Sequence, residues 1–65
     1  MKFAETYLGI SFTISENGNG TCAWAVPQID AGRGWENFGT VIGGQNEAIL
    51  AARKAIGLHL SRSAN

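Results

Sequence analysis

Residues 45–60 read QNEAILAARKAIGLHL, and this stretch decides the fold. Ala48, Leu50, Ala51, Ala52, Arg53, Lys54 and Ala55 are strong helix formers. Ala48, Ile49, Ala52, Ala55, Ile56 and Leu60 recur at steps of three and four, which puts them on one face of a helix. A lone helix of this length is marginal in water, so that face needs a surface to pack on. Everything upstream has the character of β-strand, so the expected surface is a sheet. Gly44 is the expected N-cap, because Glu47 then falls at the third helical position. From there its carboxylate can reach back to the cap backbone and oppose the positive helix end.

Upstream, residues 6–15 alternate with period two, and Phe3 extends the pattern. Leu8, Ile10, Phe12 and Ile14 are expected to face the helix, and Tyr7, Ser11 and Thr13 the opposite side. Glu16-Asn-Gly-Asn-Gly20 supplies positive-φ positions and reads as a hairpin turn. Thr21 to Ile29 forms the next strand, with Cys22, Trp24 and Val26 inward, and Pro27 ends it or sits on an edge. Phe38 to Ile42 is the third strand, with Phe38 and Ile42 expected to face in. The predicted architecture is α+β. It is one domain over residues 1–65, with a three-stranded antiparallel sheet and one C-terminal helix packed on one face. The tail from Ser61 to Asn65 is polar and expected to fray.

Composition narrows the function. The 65 residues are 45% hydrophobic and 15% charged, which suits a small globular domain rather than a disordered chain. Five basic residues balance five acidic ones. Nucleic-acid binders draw most of their affinity from a basic excess, and this chain has none; a strongly acidic nucleic-acid mimic is equally excluded. Cys22 is the single cysteine, so neither an internal disulfide nor a zinc cluster can form. There is no signal peptide and no apolar run of membrane length, and a cytoplasmic location is the expectation.

Catalysis needs a constellation, and the sequence offers little. Cys22 and His59 make a Cys–His pair formally possible, but one is expected in a core strand and the other at the far end of the helix. The acids are dispersed over strand, turn, loops and helix cap. No metal, nucleotide or nucleophile motif occurs. The expectation is a protein that is not an enzyme and holds no cofactor or metal.

Binding candidates are better defined. The loop Asp30-Ala-Gly-Arg-Gly-Trp-Glu-Asn37 is long for a hairpin of this size and carries Arg33 and Trp35 between glycines. Arg and Trp are enriched at binding hot spots. Leu50 and Leu58 lie off the core stripe and form an apolar strip suited to a second subunit or partner. The open sheet face, expected to carry Tyr7, Ser11 and Thr13, is a third candidate. An edge strand could also pair with a second copy as a homodimer.

Two stretches resemble a known family. Cys22-Ala-Trp-Ala-Val-Pro27 is similar to the second strand of HicB-type antitoxin domains. Gly43-Gly44-Gln45-Asn46-Glu47-Ala48-Ile49, continued by Ala52-Arg53-Lys54-Ala55-Ile56, resembles their turn into a Glu-Ala-rich helix. The resemblance spans residues 7–60 and implies a partial RNase-H-like fold without catalytic acids. It also implies a protein that works by covering a small RNA-cleaving toxin. The Asp30–Asn37 loop is longer than the family's connection, and Gly44 stands where a Thr or Ser cap is usual. The family's DNA-binding segment is expected to be absent, since the sequence ends at Asn65.

The functional expectation is therefore a small protein that binds and blocks a partner protein in the manner of an antitoxin. A phage or mobile-element inhibitor of the anti-CRISPR kind, acting on a defence-complex subunit, is the alternative within that class. A small nucleic-acid-binding module is the alternative outside it.

Overall fold

The computed structural model describes residues 2–32, 34 and 36–63. It has four strands and one helix: β1 (Lys2–Tyr7), β2 (Ile10–Glu16), β3 (Thr21–Ala25), β4 (Phe38–Ile42) and α1 (Gln45–Ser63). The strands form one antiparallel sheet in the order β1-β2-β3-β4, and α1 packs across one face. The α+β class and the packed C-terminal helix are as expected; the sheet has four strands rather than three.

The additional strand arises at Leu8-Gly9. Both residues have positive φ, 52° and 81°, which is the type I′ signature of a two-residue hairpin. The turn splits the expected first strand and pairs Tyr7 with Ile10. Two consequences correct the predicted facing. Leu8 sits on the turn, 63% exposed, instead of in the core. Tyr7 pairs with Ile10, Glu5 with Phe12 and Phe3 with Ile14, so Tyr7 belongs to the helix side of the sheet and not to the side of Ser11 and Thr13.

The second hairpin forms at Asn17–Gly20, as the sequence indicates. Gly18 and Gly20 take positive φ, the Asn17 amide donates to the Thr21 carbonyl at 3.1 Å, and the Asn17 side chain donates to Thr21 Oγ1 at 3.0 Å. β3 ends earlier than predicted, at Ala25 rather than Ile29. Pro27 has no amide hydrogen for the ladder, and the chain turns over Val26–Ile29, closed by Ile29 N donating to Val26 O at 3.2 Å. Gln28 follows the proline, and its side-chain oxygen accepts the Ser11 amide at 3.1 Å, a bond the ladder would otherwise supply. Val26 and Ile29 are both buried and close one end of the core.

α1 begins as expected. The Gly44 amide donates to Glu47 Oε2 at 3.0 Å, the return half of a capping box. The helix runs to Ser63, past the predicted end near Leu60 and into the stretch expected to fray. Its predicted stripe meets the sheet: Ala48, Ala52, Ala55 and Ile56 are buried, and Ile49 and Leu60 pack against them. Three alanines on that face leave room for Phe12, Ile14, Cys22, Val26 and Ile29 from the sheet side, which complete the core. Cys22 is a free, fully buried thiol, a small apolar filler of this core.

Candidate functional site

The residue register fixes what the helix-free face of the sheet displays. Paired residues share a face, so one row is Ala4, Thr13, Ala25 and Phe38, and the next is Lys2, Ser15, Ala23 and Thr40. Thr6 with Ser11 and Thr21 with Ile42 complete it. The floor is therefore built of Ala, Ser and Thr. Its two large apolar side chains, Phe38 and Ile42, stand on β4 and are 65% and 89% exposed. Lys2 is its one charged member among the described residues.

Phe38 and Ile42 were expected to face in, and the structure reverses them. Gly39 and Val41 are the inward residues of β4. The cause is Trp24, which pairs with Gly39. A Cβ built on Gly39 would lie 2.9 Å from the indole Nε1, so only glycine leaves room for the ring there. Once Gly39 is inward, Phe38 and Ile42 must point out.

On the helix side, the indole of Trp24 forms part of a cleft of about 420 Å³ between α1 and the segment leading into β4. Ala51, Ala55 and Leu58 give it apolar walls, and Glu36 and Lys54 are charged lining residues among those described. At the opposite flank of α1, the Arg53 guanidinium lies over the Tyr7 ring, 5.3 Å from its centre. That is a cation–π distance.

The predicted contact residues separate accordingly. Arg33 and Trp35 lie outside the described residues. Leu50 and Leu58 are both surface residues, 64% and 36% exposed, as expected. Eight residues of helix set them about 80° apart around the axis. Leu58 borders the cleft and Leu50 does not. Tyr7 packs against the core edge under Arg53. Ser11 and Thr13 do lie on the helix-free face. Phe38 and Ile42 are the surface residues that sequence reasoning missed. The available signal was Gly39, a residue without a side chain at the parity that must accommodate Trp24.

Among the described residues, no three His, Cys, Asp or Glu side chains gather as metal ligands, and no helix is long and apolar enough to cross a membrane. The chain matches no protein-family model, no curated protein and no solved structure.

Proposed function

We propose that this protein acts without catalysis, by docking its helix-free sheet face on a protein partner and covering part of that partner's surface. The observation that carries the reading is the pairing of a flat floor of small residues with exposed Phe38 and Ile42. Small side chains let another surface approach closely, and the two large apolar ones supply area that gains from leaving water. The charge pattern favours a protein over a nucleic acid, since among the described residues the face offers Lys2 alone to phosphates. An antitoxin-type inhibitor covering a small RNA-cleaving protein is the version that the family resemblance supports. An inhibitor of a host-defence subunit, of the anti-CRISPR kind, would use the same face.

The test places a photo-crosslinking amino acid at position 38 or 42 in host cells, with position 50 on the helix as the comparison. The crosslinked protein is identified, purified and titrated by calorimetry. Phe38→Ser with Ile42→Ser is expected to weaken that complex by about 30-fold or more, while Leu50→Ser leaves it unchanged. Undiminished binding by the double variant overturns the assignment of the face.

A further inference from the structure

β4 is an edge strand, and its hydrogen-bonding phase is fixed. Gly43 N donates to Gly20 O at 2.8 Å, and Val26 N donates to Asn37 O at 2.7 Å, one at each end of the β3–β4 ladder. Antiparallel pairs alternate, so Gly39 and Val41 turn their amides and carbonyls toward β3. Phe38, Thr40 and Ile42 turn theirs outward, where no described strand pairs with them. Edge strands in monomers are guarded by charges, prolines or bulges. β1 has Lys2 and Glu5, whereas β4 reads Phe-Gly-Thr-Val-Ile and has none of these.

The outward groups are symmetric about Thr40, with a large apolar residue two positions to either side. We propose that β4 pairs antiparallel with β4 of a second copy about a two-fold axis at Thr40, fusing two four-stranded sheets into one. Centring on Thr40 engages all three outward residues: Thr40 pairs with the partner's Thr40, and Phe38 with the partner's Ile42 on both sides of the axis. Other registers leave at least one of them unmatched. Within one copy, Phe38 and Ile42 stand about 13 Å apart along the strand with Thr40 between them. Across the axis each gains an apolar neighbour directly opposite, and aromatic–β-branched and Thr–Thr pairs are favourable cross-strand partners. The strand carries no charge, and the chain's formal net charge is zero, so self-pairing meets no bulk repulsion. A two-fold interface closes at the dimer, unlike head-to-tail pairing of β4 with β1.

The area sets the strength. Phe38 and Ile42, at 65% and 89% exposure, offer on the order of 300 Å² per chain. With the strand edge added, this stays below the roughly 800 Å² per partner of a standard interface. An interface of this size is expected to be weak, and about 10–100 μM is the dissociation range the experiment is set to cover. Its geometry leaves both helices on one side and merges the two helix-free faces on the other. The inference stands without the proposed protein partner, because it is measured on the purified chain alone.

The experiment is sedimentation equilibrium from about 5 to 500 μM, bracketing that range, on wild type, Thr40→Lys, Thr40→Glu and a 1:1 mixture of the two variants. Thr40 is exposed and its outward groups belong to no ladder among the described residues, so both variants should fold, with circular dichroism as the check. Wild type is expected to show a reversible monomer–dimer equilibrium. Each variant alone places like charges opposite each other and raises the dissociation constant by about tenfold or more, and the mixture restores the dimer. Thr40→Cys supplies a second reading: a hydrogen-bonded antiparallel pair sets its Cα atoms about 5.5 Å apart, within disulfide range, so mild oxidation should give a covalent dimer. A wild type that stays monomeric overturns the proposal. So does a dimer indifferent to Thr40→Lys, an assembly that grows beyond the dimer, or a cysteine variant that does not crosslink.

Discussion

Replacing Gly39 by alanine tests whether Trp24 sets the phase of β4. The new Cβ would fall 2.9 Å from the indole Nε1 and 3.1 Å from Cε2 and Cζ2. Comfortable carbon contacts lie near 3.5–4.0 Å, so ring or strand must yield by about 0.5–1 Å. The indole is rigid and packs against the core, and Gly39 is held in the ladder with β3. The cleft that Trp24 lines gives the ring room to tip, which moderates the strain but loses part of its packing. Overpacking of this kind costs about 1–3 kcal/mol. Alanine returns about 0.5–1 kcal/mol by restricting the unfolded chain. The net expectation is a loss of about 1–2 kcal/mol, or a fall in Tm on the order of 5–15 °C for a domain this small. The assay is urea and thermal unfolding by circular dichroism in a Trp35→Phe background, where emission reports Trp24 alone. A variant as stable as its parent, with unshifted Trp24 emission, would refute the steric account of why Phe38 and Ile42 face outward.

Gly57 gives the opposite sign: it lies in α1 with nothing within 4 Å of a built Cβ, so Gly57→Ala should raise stability by about 0.5–1 kcal/mol in urea unfolding. Leu8→Asn removes a left-handed strain of about 1–2 kcal/mol and gives up the roughly one-third of a leucine's burial that Leu8 retains, about 0.5–1 kcal/mol. A net gain of a few tenths to about 1 kcal/mol is expected, read by the same assay, and a loss would show that the contacts Leu8 keeps outweigh its backbone strain. Glu47→Ala removes the acceptor of the Gly44 amide and should cost about 0.5–1 kcal/mol, with earlier amide hydrogen exchange in the first turn of α1.

Much of the fold was legible wherever a period or a turn residue is unambiguous. The Ala48–Ile56 stripe reads directly as a buried face, Glu47 as the cap, and Asn17–Gly20 as a hairpin turn. The first hairpin was hidden because its turn looks like strand. Leu8 preserves the apolar alternation of Ile10, Phe12 and Ile14, so the pattern runs straight through the reversal. Nothing in a Leu-Gly pair announces positive φ at a leucine; tertiary pairing of Lys2–Tyr7 with Ile10–Glu16 imposes it. The same misreading sent Tyr7 to the wrong face, because a two-residue turn changes the parity on which its assignment rested.

The candidate surface was harder to read for a different reason. In β4, residues of both parities are compatible with a core: Phe38 and Ile42 on one, Gly39 and Val41 on the other. Hydrophobicity favours the first set, and hydrophobicity was the wrong criterion. What decides is complementarity across the ladder, where the bulk of Trp24 needs the emptiness of Gly39. Packing one aromatic ring therefore pushes two apolar side chains into the open, on an edge strand without a charge to guard it. An apolar face on a helix implies a sheet because both lie in one chain. The proposed self-pairing of β4 follows the same physics, because outward groups symmetric about Thr40 are all matched when a second copy is laid against them.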